Sequence, residues 1–158
     1  MDIKHLLSQS NALVDVRASD KRSLLNELCV RAAKSLAVVA GGIASDILKR
    51  EELGSTGVGG GIAIPHARVA EINAPFGIIA RLRRPVDFEA IDGRPVDIVF
   101  LLLLPAAPSG DQLNALAAVA RKLRDTNLVR ALREAPDGAS LYRASSPQPS
   151  VSSIALRR

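Results

Sequence analysis

The segment from Val96 to Leu104 constrains the fold more strongly than any other part of the chain. It includes the longest uninterrupted apolar run, Ile98 to Leu104, so a strand formed here is apolar on both of its alternating faces. Such a strand is typical of the centre of a sheet that helices cover on both sides. The run is also shorter than a helix must be to cross a bilayer, so direct membrane insertion is not expected. We predict that this segment forms the central strand of the fold.

Apolar patterns elsewhere in the chain supply the remaining strands and the helices. Short apolar runs predict three further strands, at 13–16, 61–64 and 76–82, with an extended piece at 85–88 and a turn at 91–95. Apolar residues at helical spacing predict five helices, the first after an N-cap at Ser19-Asp20 and the others near 43–52, 111–124, 128–134 and 139–143. This order predicts an α/β (α+β) fold, a three-layer α/β/α sandwich with a mixed sheet and helices on both faces.

Length and composition predict a single domain over residues 1–144. A chain of 158 residues is long enough to bury one core, which must be aliphatic because only 3% of the residues are aromatic. From Ser145 the sequence changes to Ser, Pro, Gln and small residues without periodicity, and we predict a disordered tail over 145–158. The N-terminus lacks a secretory hydrophobic segment and Cys29 is the single cysteine, so a cytoplasmic location is expected.

The net charge of +5 is unevenly distributed, which argues against a nucleic-acid partner. Residues 1–120 contain 13 basic and 13 acidic residues, whereas residues 121–158 contain 8 and 3. No basic stripe interleaved with aromatic residues is visible, so nucleic-acid binding is not expected. The basic residues near the C-terminus lie on helical patterns, where they are either solvated or able to dock an acidic partner. His5, His66 and Cys29 are too few and too scattered to bind zinc, and no metal or cofactor is predicted.

The region 50–67 carries the clearest chemical pattern, a glycine-rich segment followed by one histidine. Five glycines fall between positions 54 and 61, and such segments expose backbone N–H groups that favour anions such as phosphate. His66 follows a strand-like run that Pro65 stiffens. An imidazole nucleophile beside an anion-accepting loop is what reversible phosphorylation of histidine requires. Taken separately, such glycines more often form a flexible connection than a phosphate cradle, and such a histidine is usually an ordinary hydrogen-bonded residue.

Three segments resemble one known family. They are REELGSTGVGGGIAIPHA at 50–67, RPVDFEAIDGRPVDIVFLLLLP at 84–105 and LNALAAVARKLRD at 113–125. The sequence resembles the phosphotransferase-system enzyme IIA domains of the fructose/mannitol class, and most of all the nitrogen-type regulatory enzyme IIA, over roughly residues 1–143. The resemblance implies that His66 carries the phosphoryl group. It also implies a phosphotransferase component with a phosphohistidine intermediate rather than a free-standing enzyme.

The mechanism expected from this resemblance has a neutral His66 as the nucleophile. One ring nitrogen is directed at phosphorus, and a backbone carbonyl or a side chain holds the other and fixes the tautomer. The phosphoryl oxygens are expected to contact the N–H groups of the loop from Gly57 to Gly61 and the guanidinium of Arg50, although Arg50 equally suits a helix C-terminus alone. The predicted phosphoryl-stabilising residues are Arg50, Ser55, Thr56, Gly59, Gly60, Gly61 and Gln112, of which Ser55 and Thr56 could instead only cap the loop.

Gln112 stands where a second histidine often lies in the resembling family. A glutamine amide donates a hydrogen bond to a phosphoryl oxygen but does not share a proton near neutral pH as an imidazole does. Phosphorylation of His66 is therefore expected to survive, with a lower rate or slower onward transfer.

The resemblance also implies partners and leaves two alternatives open. The phosphoryl donor is expected to be a phosphohistidine carrier protein (NPr/HPr-like), and the output to be regulatory binding that depends on phosphorylation. Regulatory targets in the resembling family include potassium-transport and sensor proteins. One alternative is a sugar-specific enzyme IIA that passes phosphate to a IIB domain. The other is a binding module whose His66 is no longer phosphorylated.

Overall fold

The computed structural model describes residues 3–107 and 110–145, apart from the side chains of Lys4 and of residues 110–113. Two short 3-10 turns, Ile3–His5 and Gln9–Asn11, precede the first strand. The elements that follow are β1 Ala12–Val16, α1 Lys21–Leu36, α2 Ala40–Glu52, β2 Gly57–Gly59, β3 Ile62–Ala63, β4 His66–Val69, β5 Phe76–Val86, β6 Val96–Pro105, α3 Gly110–Lys122, α4 Thr126–Glu134 and α5 Gly138–Ser145.

The six strands form one mixed sheet in the order β1-β5-β6-β3-β2, and β4 pairs with β6 beyond the end of β3. β1 is parallel to β5, and both β3 and β4 are parallel to β6. β5 and β6 are antiparallel, as are β2 and β3. β3 and β4 therefore follow one another along the same side of β6, separated by Ile64 and Pro65.

β6 is the central strand, as predicted from its composition. Val99, Leu101 and Leu103 belong to a core cluster shared with α1 and α2. Ile98, Phe100 and Leu102 belong to a second cluster, shared with α3, α4 and α5. All six residues are fully buried, each contributing about 1.5–3 kcal/mol of hydrophobic stabilisation. Helices thus cover both faces of a mixed sheet, which confirms the predicted α/β/α sandwich.

Helix α1 begins where its sequence predicted. The carboxylate of Asp20 accepts a hydrogen bond of 2.8 Å from the N–H of Ser23, and the Ser23 hydroxyl completes a capping box. Leu24, Leu28 and Ala32 lie on its fully buried face. A cap that satisfies free N–H groups and an apolar stripe at helical spacing both act locally, so the prediction of this helix needed no tertiary information.

Several boundaries differ from the predictions. Gly57–Gly59 forms β2 rather than a loop, and His66, which follows β3 as predicted, also begins a further strand, β4. Pro65 has no N–H to donate, so it separates β3 from β4 along the edge of β6, while its carbonyl accepts from Leu102 N at 2.9 Å. β5 extends through Val86 and absorbs much of the predicted extended piece.

The C-terminal boundary also moves by one residue. Helix α5 ends at Ser145, which is buried and was predicted to open the tail. The rest of the predicted disordered tail, 146–158, lies outside the described residues. No helix in the described part of the chain is long and apolar enough to span a membrane.

Candidate functional site

His66 lies at the start of β4, opposite Leu102 of the central strand. Its neighbours Ala67 and Val69 contribute to the core cluster beneath α1 and α2. Because Ala67 and Val69 occupy alternate positions of a strand, the intervening and preceding residues point to the other face, which α3 covers. His66 is half-buried, so the residue is partly accessible to solvent.

The ring of His66 is held by one main-chain hydrogen bond. Its Nδ1 lies 2.8 Å from the carbonyl oxygen of Ile64, two residues earlier in the chain. A carbonyl oxygen only accepts hydrogen bonds, so Nδ1 carries the proton and donates it. In a neutral imidazole the other nitrogen, Nε2, then has a free lone pair. This is the kind of partner the sequence predicted for the second ring nitrogen.

The segment that carries this carbonyl is itself fixed on both sides. Ile64 N donates to the carbonyl of Thr56 at 3.0 Å, and Leu102 N donates to the carbonyl of Pro65 at 2.9 Å. Ile64 and Pro65 are buried. The break at Pro65 thus leaves the backbone hydrogen-bonded on both sides, and the Ile64 carbonyl contacts the imidazole.

Arg50 lies at the end of α2 that is nearest the start of β4. Near the beginning of this helix, a Cβ on Gly42 would lie 3.0 Å from Glu71 Oε1, and Glu71 follows β4. The helix and β4 therefore run in opposite directions, which places the last turn of α2 toward the start of β4, on the face of the sheet that α1 and α2 cover. In this conformation Arg50 Nη1 donates to the carbonyl of Gly54 at 2.9 Å. The structure thus gives Arg50 a capping role, and its contact with a phosphoryl group stays a prediction.

Ser55 and Thr56 use their hydroxyl groups within the protein. Ser55 Oγ donates to the carbonyl of Phe88 at 2.6 Å and accepts from Gly57 N at 3.0 Å. Thr56 is buried, and its Oγ1 donates to the carboxylate of Glu51. Of the two roles predicted for these residues, the geometry is that of loop caps rather than of free donors for a ligand.

Gly59, Gly60 and Gly61 do not lie beside His66, which corrects the predicted cradle. β3 starts opposite Ile98 of the central strand, whereas His66 lies opposite Leu102. Four residues of a strand span about 13 Å. The three glycines have φ values of 98°, 68° and 81°; Gly59 ends β2, and Gly60 and Gly61 form the turn of the β2–β3 hairpin. Glycine is favoured there because other residues are strained at such angles.

The backbone N–H and carbonyl of Gly60 in the hairpin turn already form hydrogen bonds with side chains of the protein. Gly60 N donates to Asp92 Oδ2 at 2.9 Å, and the carbonyl of Gly60 accepts from Arg133 Nη2 at 2.7 Å. The same arginine pairs with Asp97 at 2.9 Å. The hairpin is thus clamped between the loop before β6 and helix α4, and a carboxylate stands where a phosphoryl oxygen was expected.

Gln112 lies in the first turn of α3. The far end of this helix is near the glycine hairpin, because Leu123 and Gly60 line the same groove. α3 therefore runs back along the central strand, and its first turn is at the end of the sheet that carries His66. The side chain of Gln112 lies outside the described residues, so its predicted contact with a phosphoryl group stays a prediction.

Glu51 and Lys21 are two polar residues of this region that sequence reasoning missed. The Glu51 side chain is only 5% exposed, and Lys21 Nζ lies 2.8 Å from its Oε2. The same ammonium lies 4.7 Å from the centre of the Phe88 ring. A sequence signal was available, since an acidic residue in the last turn of a helix is disfavoured by the helix dipole, and its presence there indicates a partner elsewhere in the fold. The partner, thirty positions earlier in the chain, was not visible locally.

The remaining candidate ligands are dispersed. Within 3–107 and 110–145, no group of three or more His, Cys, Asp or Glu residues is arranged to hold a metal ion. Cys29 is fully buried in the core beneath α1, and burial raises the pKa of its thiol to about 12. The site therefore consists of one histidine with an oriented ring, an arginine at a nearby helix end and a buried acidic residue behind them.

Comparison with known proteins gives concordant matches. Residues 5–145 match the family described as phosphoenolpyruvate-dependent sugar phosphotransferase system, EIIA 2. Over 142 residues the chain is 41% identical to the nitrogen regulatory protein of Bradyrhizobium diazoefficiens, covering 90% of this chain and 93% of that relative. Over 143 residues it is 36% identical to the nitrogen regulatory protein of Escherichia coli K12, covering 90% and 88%.

Solved structures show the same fold. The nitrogen regulatory protein IIA-Ntr of Neisseria meningitidis superposes with a TM-score of 0.85 at 30% identity, covering 91% of this chain and 99% of that one. A mannitol enzyme IIA from Escherichia coli, solved in complex with phosphorylated enzyme IIB, has a TM-score of 0.71 at 15% identity over 88% of this chain and 96% of that one. At that identity the second likeness concerns the fold alone.

Proposed function

The chain belongs to the family of phosphoenolpyruvate-dependent sugar phosphotransferase system EIIA 2 domains, and from this membership we propose that it is a phosphocarrier whose His66 accepts a phosphoryl group. The donor is a phosphohistidine carrier protein of the NPr/HPr kind. The phosphorylated and unphosphorylated forms then differ in the partners they bind. This makes the protein a regulatory component of the nitrogen type rather than a free-standing enzyme.

The hydrogen bond between His66 Nδ1 and the Ile64 carbonyl is the observation that carries the proposal. It leaves Nε2 as the nucleophile, on a ring that is half-buried and held in one orientation. The Nε2 lone pair forms the new N–P bond while the P–N bond to the carrier's histidine breaks, and that bond's electron pair returns to the carrier's imidazole. Positive charge develops on the His66 ring during transfer. The Ile64 carbonyl stabilises this charge through the proton on Nδ1.

Arg50 is the cation we assign to the phosphoryl oxygens. One of its five N–H donors is used by the Gly54 carbonyl, and a guanidinium pairs well with phosphate through the others. The last turn of α2 lies toward the start of β4, and contact with the phosphoryl group requires the Arg50 side chain to leave the Gly54 carbonyl. Gln112 is the further donor we assign, since the first turn of α3 lies on the same face and at the same end of the sheet.

The nitrogen-type regulatory role rests on similarity to relatives with that name. The two relatives described above are both called nitrogen regulatory proteins, and each aligns along almost its whole length. A phosphoryl group on His66 would add a charge of about −1.5 to −2 to this surface, enough to favour or repel a docking partner. Potassium-transport and sensor proteins are the classes of target we propose.

Intact-protein mass spectrometry tests the proposal. The protein is incubated with phosphoenolpyruvate, enzyme I and a phosphohistidine carrier, alongside His66→Ala and the matched control His5→Ala. The chain has only these two histidines. We expect one acid-labile phosphoryl group on the wild type and on His5→Ala, and none on His66→Ala. Absence of the group from the wild type, with the carrier itself phosphorylated, would leave a phosphorylation-independent binding module. Onward transfer to a IIB domain would favour the sugar-specific alternative.

A further inference from the structure

The buried carboxylate of Glu51 is surrounded by donors. Its Oε2 accepts from Lys21 Nζ at 2.8 Å and from Thr56 N at 3.2 Å, and its Oε1 accepts from Thr56 Oγ1. Burial of a carboxylate is unfavourable unless it is paired and hydrogen-bonded, and these contacts meet that condition. Glu51 is the only acidic residue in the core of the described ranges.

Both charged partners occupy helix ends that disfavour them. Lys21 is the first residue of α1, where the helix dipole repels a cation, and Glu51 lies in the last turn of α2, where it repels an anion. Their positions are therefore not explained by stabilisation of their own helices. The contact between them, and with the loop that follows α2, gives a better account.

This contact continues through the backbone to the imidazole. Thr56, held by Glu51 through both its N–H and its hydroxyl, accepts from Ile64 N at 3.0 Å. The carbonyl of Ile64 in turn holds His66 Nδ1 at 2.8 Å. Lys21, Glu51 and Thr56 form what we call the Glu51 network, and it is joined to the ring by two consecutive hydrogen bonds.

We propose that the Glu51 network positions His66. By fixing Thr56 it fixes the strand segment whose Ile64 carbonyl selects the Nδ1–H tautomer and aims Nε2. Lys21, Glu51 and Thr56 are positioning residues, since none of them contacts the reacting atoms. For its effect on phosphoryl transfer this inference rests on the proposed function, but its effect on the ring does not.

The substitution Thr56→Val tests the network with little change in shape. It removes the hydroxyl donor to Glu51, whereas Thr56→Ser retains that donor. Ser145→Ala is the matched control, because it also removes one buried hydroxyl, which donates to the Leu141 carbonyl at 2.8 Å in helix α5, remote from the site. Urea unfolding curves establish that each variant is folded. If Thr56→Val does not fold, Glu51→Gln replaces it with the same expected outcome.

Long-range 15N–1H NMR correlation spectra report the tautomer directly. With only two histidines, the signals of His66 are assigned by their loss in His66→Ala. We expect the wild type, Thr56→Ser and Ser145→Ala to show the Nδ1–H form, and Thr56→Val to show a mixture that includes the Nε2–H form. An unchanged tautomer in Thr56→Val would overturn the proposal, whether or not the protein is phosphorylated.

Phosphorylation kinetics supply the second readout. For transfer from the phosphorylated carrier we expect kcat of Thr56→Val to fall about tenfold with KM unchanged, because the docking surface is intact and the nucleophile is misaligned. Thr56→Ser should recover most of the rate, and Ser145→Ala should match the wild type. Equal rates for Thr56→Val and Ser145→Ala would contradict the positioning role. A wild type that accepts no phosphoryl group would refute the proposed function alone, and the tautomer result would still decide this inference.

Discussion

Replacement of Lys21 by methionine should destabilise the fold much more than replacement of an exposed lysine or arginine would. The ammonium and the Glu51 carboxylate are 2.8 Å apart, and the two side chains are 17% and 5% exposed. At an effective dielectric constant of ~20 their Coulomb attraction is about 6 kcal/mol. The desolvation of both groups offsets half or more of this attraction. Lys21→Met leaves Glu51 buried with its two donors from Thr56 alone, so we expect a loss of about 2–3 kcal/mol in the free energy of unfolding.

Urea denaturation of single and double variants measures this coupling. The double variant Lys21→Met/Glu51→Gln removes both charges. Its loss in the free energy of unfolding should be smaller than the sum of the two single losses by about 1 kcal/mol or more. Arg31→Met is the control. Arg31 pairs with Glu27 at 3.0 Å, but both side chains are about half exposed, so the expected loss is below about 0.5 kcal/mol. A loss in Lys21→Met as small as in Arg31→Met, with no coupling in the double variant, would show that the Lys21–Glu51 pair does not stabilise the fold.

Three further predictions concern the hairpin and the core. Gly61→Ala puts a non-glycine residue at φ 81° and places its Cβ 2.6 Å from a guanidinium nitrogen, so we expect the free energy of unfolding measured in urea to fall by about 2 kcal/mol. Gly41 has open space around it, so Gly41→Ala should leave the free energy of unfolding unchanged or raise it. Burial raises the pKa of Cys29 to about 12, so its thiol should resist thiol reagents at pH 8 until the protein unfolds, and fast labelling of the native protein would contradict this. Rising pH should also lower the free energy of unfolding between the pKa of the unfolded thiol and that of the folded one. The pKa of Asp92 is lowered, chiefly by the N–H of Gly60, so its stabilising contribution is present above the unfolded pKa and is lost as pH falls through the folded pKa. Asp92→Asn should therefore lose less stability on acidification than the wild type, and an identical acid titration would count against the hairpin clamp.

Local patterns were sufficient for the architecture. The doubly apolar run of β6 required helices on both faces, and the capping box at Asp20 with the stripe through Leu24 and Leu28 fixed the start and the inner face of α1. Each of these signals depends on residues a few positions apart. The sequence also singled out His66, because the glycines and Ile64-Pro65-His66 occur together in the resembling family, and its role as phosphoryl acceptor stays a prediction.

The predictions that failed are those that depend on strand register and on contacts between residues distant in the sequence. The glycines preceding His66 are close to it in sequence, but strand pairing carries Gly60 to the opposite end of β6, where it contacts Asp92 and Arg133. Sequence spacing alone does not distinguish a cradle around the histidine from a hairpin turn remote from it. The role of Glu51 was equally hidden, since it depends on Lys21 from another helix. Phosphate-binding patterns therefore need the strand register before they are assigned to one site.

The identity of the phosphorylated nitrogen is the sharpest test of the proposed phosphoryl transfer to His66. The 15N-labelled protein is phosphorylated by its carrier, and 31P–15N couplings in NMR spectra identify the ring atom bonded to phosphorus. Because the Ile64 carbonyl holds Nδ1–H at 2.8 Å, we predict one coupling, to Nε2 of His66, with Nδ1 still protonated. A phosphoryl group on Nδ1 or on another residue, or no phosphoryl group at all, would rule out Nε2 of His66 as the acceptor.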